Sequence, residues 1–184
     1  MLERLKNYTI QFTKEIIPVI AGILIALFID NWNNDRKDKN YIDQVFSTIN
    51  SELEETQQEI KRDIPQQKSL VDSLAHYANN PKVTVLDVAM KCGGIQIPNI
   101  KMNAWKSVSN AKIDLIGYNK ITSLSNIEEL KGVLKDKTDF LMQLLYSNMY
   151  TTEKDKKQTF KIVVLDIMST EQTIQKHIQK FKKE

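Results

Sequence analysis

An unbroken apolar run from Ile16 to Ile29 constrains this chain more than any other feature: Ile-Ile-Pro-Val-Ile-Ala-Gly-Ile-Leu-Ile-Ala-Leu-Phe-Ile. It is apolar on every face of a helix, whereas a helix on the surface of a soluble domain carries a polar stripe. Ten of its residues are Ile, Leu, Val or Phe, and at roughly −0.3 to −0.6 kcal/mol each their insertion into lipid gains about 3 to 6 kcal/mol. The run alone covers about 21 Å as a helix, short of the ~30 Å hydrocarbon core; that length also fits a buried core helix or a signal-peptide core. Extension from Phe12 to Trp32 gives about 31 Å. Lys14, Glu15, Asp30 and Asn31 then fall near the headgroups, with Tyr8, Phe12 and Trp32 as interfacial anchors. The following segment, Phe28-Ile29-Asp30-Asn31-Trp32-Asn33, lacks the small residues of a cleavage site. An uncleaved transmembrane anchor over residues 15–32 is therefore favoured over a signal peptide.

Within the run, Gly22 and Ala26 stand four apart, a spacing that lets two membrane helices approach closely. Pro18 loses no hydrogen bond if the apolar helix starts near Glu15, because it then lies in the first turn. Residues 1–14 form a short tail with Leu2, Leu5, Tyr8 and Phe12 at helical spacing. Two readings fit it: an amphipathic helix along the membrane surface, or a frayed terminus. Arg4, Lys6 and Lys14 flank the span on one side and Arg36, Lys37 and Lys39 on the other, so the positive-inside rule does not decide the orientation.

Beyond the anchor, the pattern is that of an all-α, membrane-proximal helical bundle over residues 33–184. Five glycines and four prolines in 184 residues are sparse punctuation, which suits long helices. A long helix over 41–79 shows Ile42, Phe46, Ile49, Leu53 and Ile60 on one stripe, resumed by Leu70, Leu74 and Tyr77. Thr56, Asp63 and Gln67 interrupt the stripe when it is read as a heptad, and Glu52, Glu54, Glu55 and Glu59 are assigned to the other faces. Pro65 predicts a kink or a break near residue 65. Residues 82–118 are irregular: Thr84 can cap a short helix ended by Gly93-Gly94, while Val83 and Val85 equally suit a strand. Ser125 and Glu128 have the spacing of a capping box, which predicts a helix over 125–149. A last helix is predicted over 152–182.

The segments Glu15-Ile16-Ile17, Gly22-Ile23-Leu24-Ile25-Ala26-Leu27, Asp30-Asn31-Trp32-Asn33 and Arg36-Lys37 together resemble the opening of a domain-of-unknown-function family of small membrane proteins, found mainly in Bacteroidota. The resemblance is close over residues 15–37 and loose around Asn103-Ala104-Trp105, Ser109 to Ile116 and Leu144-Leu145-Tyr146. This chain departs from the family's pattern at Lys14, Phe28 and Asn110-Ala111. The resemblance implies an inner-membrane protein with an extracytoplasmic helical domain, and no activity. It is also the ground for placing the tail inside and the domain outside.

Signs of catalysis are lacking in the sequence. His76 and His177 fall on different helices and cannot form a helical His-His metal pair; His76 has Asp72 one turn before it, which suits a surface hydrogen bond. Cys92, the only cysteine, is read as a structural thiol and the glycines after it as a helix stop. The glycines at 22, 93, 94, 117 and 132 cannot compose a phosphate loop. The carboxylates are spread over helix faces beside lysines, as on a solvated surface. Net charge of +3 is too mild to imply nucleic acid. Lys154, Lys156, Lys157 and Lys161 form the densest basic stretch, read as a solvent-facing helix side. Trp105 and Tyr118 are the candidate pocket or core aromatics.

No catalytic, cofactor or metal residue is assigned. The expected partners are the lipid bilayer and either a second copy or an envelope protein. The favoured reading is a structural or interaction module of the cell envelope, whose long stripe could also pair as a coiled coil. The alternative is an extracytoplasmic sensor or ligand-binding bundle.

Overall fold

The computed structural model describes the backbone of residues 2–183 and the side chains of residues 12–183. Among the described residues the chain is all-helical, with no strand. The helices are α1 (Leu2–His76), α2 (Val85–Lys91), α3 (Asn103–Ala111), α4 (Tyr118–Asn148) and α5 (Lys154–Phe181), with a 3-10 turn at Ile113–Leu115. The chain divides into two compact units, Met1–Gln44 and Val45–Glu184, and α1 contributes to both.

In the first unit α1 is long and apolar enough to cross a membrane. Its most apolar stretch has a mean hydropathy of 2.1, and none of that stretch is buried. Ile17, Ile20, Leu24, Leu27 and Phe28 all present their side chains outward. Because α1 begins at Leu2, Pro18 lies in the helix interior and not in its first turn. Its ring therefore removes one intrahelical hydrogen bond, a loss tolerated in membrane helices. The side chains of Leu2, Leu5 and Tyr8, which carry the amphipathic reading of the tail and one proposed anchor, lie outside the described residues.

The second unit is built on heptads. From Val45 onward the buried row on α1 is Ile49, Leu53, Thr56, Ile60, Asp63, Gln67, Leu70 and Leu74, alternating steps of four and three. The row on α5 is Lys157, Phe160, Val164, Ile167, Glu171, Ile174, Ile178 and Phe181, with the same alternation. Leu124, Ile127, Leu134 and Leu141 form the corresponding row on α4. Such spacing keeps one seam facing its neighbours along the whole length of a helix. Helix α1 continues through Pro65, so the break predicted there does not occur.

Cross-links fix the directions. Gln57 meets Lys182, Gln67 meets Glu171 and Tyr77 meets Lys157, so α5 runs antiparallel to α1. Lys137 bonds Asp166 and Thr170, and α4 runs antiparallel to α5. Phe46 stacks on Phe181 with centroids 6.4 Å apart, and the Lys120 ammonium lies 4.2 Å from the Phe46 ring. The start of α4 thus joins the same end of the bundle as Phe46 and Phe181, and α4 runs parallel to α1.

A return path is then required between the end of α1 and the start of α4. Thr84 and Asp87 close a full capping box on α2, which settles Val85–Lys91 as helix and not strand. The first amides of α2 donate to the α4–α5 turn, Val85 to the Thr151 carbonyl at 3.2 Å and Leu86 to that of Met149 at 2.9 Å. Gly93 and Gly94 have φ of 79° and 90°, the left-handed geometry that ends a helix. From there to Met102 the chain is extended, a strap laid antiparallel along α1.

The predicted start of α4 needs correcting. The helix begins at Tyr118, with Gly117 in extended conformation at its N-cap. Ser125 lies inside it, because the preceding turns carry the buried Ser123 and Leu124. Glu128 accepts instead from the Trp105 indole.

Candidate functional site

Three places concentrate unusual chemistry. The first is the apolar face of the first unit. Phe12 and Trp32 lie near the ends of the apolar stretch and are exposed. A Cβ built on Gly22 would meet nothing within 4 Å, so the glycine answers no packing need within this chain.

The second is the seam between α1, the strap and α5. The three polar residues that interrupt the α1 heptads all lie in the core, each with a partner. Thr56 Oγ1 accepts from the Lys101 amide at 3.0 Å. Asp63 Oδ1 accepts from Arg62 Nε at 2.8 Å. Gln67 Nε2 donates to the Gln96 carbonyl at 2.9 Å and to Glu171 Oε1 at 2.7 Å. Glu171 is fully enclosed, at 0% exposure. Burial, reinforced by the Asp63 charge and opposed by the Gln67 bond, pushes its carboxyl up to about 7. Two buried atoms here lack partners, Gln67 Oε1 and Glu171 Oε2.

The strap depends on this seam. An extended segment has no internal ladder, so its buried backbone groups need partners from elsewhere. Side chains of α1 provide them in register. Glu59 Oε2 accepts from the Asn99 amide at 2.8 Å, and where the strap passes into α3 Glu52 Oε2 accepts from the Ala104 amide in its first turn at 3.1 Å. Glu55 Oε2 pairs with Lys101 Nζ. Glu52 and Glu59, assigned from sequence to the solvated faces, are therefore structural. Their signal is in the sequence: Glu52 and Glu59 stand one heptad apart, beside the row that holds Thr56.

Trp105 and Tyr118 part company. Trp105 is a core residue at 1% exposure, and its Nε1 donates to Glu128 Oε2 at 2.7 Å. Tyr118, at 80% exposure, is the first residue of α4 and belongs to neither core nor pocket. The two do not line a common cavity. A cleft of about 280 Å³ does lie elsewhere, between strap residues Ile97 to Ile100 and Lys131, Leu134, Lys135 and Thr138 of α4.

The third place is the end of α1. Lys157, read from sequence as part of a solvent-facing basic side, is fully enclosed. Its Nζ donates to the Tyr77 carbonyl at 2.9 Å and the Asn80 carbonyl at 2.8 Å. A helix C-terminus presents orphan carbonyls and partial negative charge, both of which suit an ammonium. Burial lowers its pKa.

Cys92 is half-buried, with Sγ 3.4 Å from Ser73 Oγ. The His76 ring sits edge-on to Tyr77, centroids 4.7 Å apart, and makes no hydrogen bond to Asp72. Among the described residues no group of three or more His, Cys, Asp or Glu is placed to hold a metal ion. Comparison with protein-family profiles, curated proteins and solved structures returns no match.

Proposed function

We propose that this chain is a non-enzymatic, single-pass protein of the bacterial inner membrane, with its helical domain on the extracytoplasmic side as a structural or interaction module of the envelope. The observation that carries the reading is the apolar stretch of α1, none of which is buried. At roughly 25 cal/mol per Å², so much apolar surface left in water is strongly unfavourable, and lipid is the solvent that removes the penalty. The resemblance to the Bacteroidota family supports the compartment and the orientation.

Self-association is assigned to the span. The α1 stripe that could otherwise form a coiled coil with a second copy is already covered by its own domain, with Ile49, Leu53, Ile60, Leu70 and Leu74 all buried. Gly22 and Ala26 offer the remaining close-approach face. The sensor alternative rests on the architecture of anchor and bundle; a pocket lined by Trp105 and Tyr118 would favour it, and one of the two is buried in the core while the other is exposed.

The test is crosslinking and native mass spectrometry of the full chain in detergent. Gly22→Leu should abolish the oligomer, and since a side chain at 22 meets nothing within the chain, any loss reports on a partner helix. A strictly monomeric wild-type protein would remove the self-association reading. Extraction of the chain from membranes by alkaline carbonate would remove the anchor. Protease protection of the domain in spheroplasts would reverse the orientation.

A further inference from the structure

We propose that Glu171 and Gln67 form a proton-operated latch that holds the strap to the bundle when Glu171 is a neutral acid and releases it when the proton leaves. Three observations carry this beyond the reading of the chain as an interaction module.

The first is the pair of unpartnered atoms. Gln67 Nε2 already donates to Glu171 Oε1 at 2.7 Å, leaving Gln67 Oε1 and Glu171 Oε2 as the only two buried side-chain polar atoms without partners among the described residues. Those are the two remaining atoms of a carboxylic acid–carboxamide pair. Both are acceptors while the acid is ionised, so neither can satisfy the other. One proton on Oε2 converts it to a donor, and the second bond of the pair becomes possible. A buried acceptor left without a partner is costly, which favours the protonated form in the closed domain.

The second is the lack of any compensating cation. Facing Glu171 from α1 are Gln67 and the Asp63 carboxylate, whose charge opposes ionisation of Glu171. The Asp63 charge is met by Arg62, which is itself exposed. The Gln96 carbonyl meets the same Gln67 amide from the strap. On α4, Lys137 is engaged by Asp166 and Thr170. None of the described lysines or arginines forms an ion pair with Glu171. An ionised Glu171 would be a second negative charge in the seam, with a single hydrogen bond.

The third is the connection to the strap. The Gln67 amide that serves Glu171 also holds Gln96, so disturbance of one bond is felt at the other. The strap's next ties, Asn99 to Glu59 and Lys101 to Thr56, follow within five residues. Water admitted to solvate the carboxylate enters where the strap lies against α1. The α4 and α5 rows on either side are held by the buried Leu134, Leu141, Ile167 and Ile174, whereas the strap is held there by side-chain hydrogen bonds, so the strap is the element that yields.

The experiment is hydrogen exchange on the full chain in detergent micelles from pH 5.5 to 8.5, corrected for intrinsic rates and followed at the amides of residues 96–104. Protection should fall at least tenfold as pH rises through neutrality, while α4 and α5 amides hold. Glu171→Gln, which keeps an amide pair but cannot ionise, should hold the strap closed across the range. Asp63→Asn removes the opposing charge and should move the midpoint to higher pH only if Asp63 were a donor to Glu171; as a like charge, its removal should move the midpoint to lower pH without abolishing the transition. In the wild-type chain, infrared spectroscopy should show a protonated carboxylic acid band that disappears over the same interval. Strap protection independent of pH, or the same pH-dependent fall in Glu171→Gln, would overturn the proposal. If Glu171→Gln fails to fold, the Asp63→Asn shift decides: an unmoved or raised midpoint rejects the latch.

Discussion

Replacing Glu171 by Gln should stabilise the domain by an amount that grows as pH rises above about 4.5 and levels off near pH 7. The carboxyl is raised from an ordinary 4.5 to about 7 in the folded protein. A raised carboxylate pKa means that the folded state binds the proton more tightly than the unfolded chain does. Its stabilising contribution is therefore complete below pH 4.5 and lost as pH climbs from 4.5 to about 7, after which both states are ionised and the curve is flat. At about 1.4 kcal/mol per pH unit, that interval amounts to about 3 kcal/mol. Other groups add their own pH dependence, so the informative quantity is the difference between the two proteins. Urea denaturation of the full chain in detergent, followed by the fluorescence of the buried Trp105, measures it. At pH 5 the variant and the wild type should differ little, and at pH 8 the variant should be more stable by about 3 kcal/mol. Denaturation midpoints that stay parallel from pH 5 to pH 8 would refute the linkage and the burial argument behind it.

Three further substitutions test the other joints. Trp105→Phe removes the bond from Nε1 to Glu128 at 2.7 Å and should cost about 1–3 kcal/mol by urea denaturation, since the acceptor is charged. Lys157→Met keeps the bulk but leaves the Tyr77 and Asn80 carbonyls without their donor. It should cost about 1–3 kcal/mol in a thermal melt and speed amide exchange in the turn after α1. Thr84→Ala breaks the α2 capping box and should cost about 1 kcal/mol, with the Asp87 amide losing its exchange protection.

How much of this was legible in the sequence depends on whether a feature is local or paired. The apolar run and the apolar stripe of α1 could be read because their period is intrinsic to the helix. Thr84 and Gly93-Gly94 could be read because capping is settled within a few residues. The same reasoning fails at Ser125 and Glu128, whose spacing imitates a cap. Leu124 one residue earlier is buried, and burial of that turn extends the helix past the local signal. Glu128 is engaged instead by Trp105, 23 residues away. The strap is the least visible element, since an extended segment tied to side chains of another helix has no period of its own. Lys157 escapes a sequence reading for a related reason: among lysines one to four residues away, only its place on the α5 row sets it inside.

Thr56, Asp63 and Gln67 occupy positions where a simpler heptad would carry leucine, and the structure supplies a reason. An all-apolar α1 row would be a self-complementary seam, open to a second copy as readily as to α4, α5 and the strap. Asp63 in such a pairing would be set in an apolar seam, where an uncompensated charge is costly. The polar residues instead match features found only within the chain: the Lys101 amide, the Gln96 carbonyl and the Glu171 carboxyl. Replacing four polar groups of the α1–α5 seam, as Thr56→Ile, Asp63→Leu, Gln67→Leu and Glu171→Leu together, separates stability from specificity. Well-packed apolar substitutes for buried polar groups are often neutral or stabilising, so resistance to urea should be kept or increased. Pairing should suffer: strap amides should exchange faster, and a Gly22→Leu background should form oligomers again through the domain, visible by light scattering after size exclusion. A quadruple variant that kept both the strap protection and the monomeric state of that background would show that these residues do not select the fold.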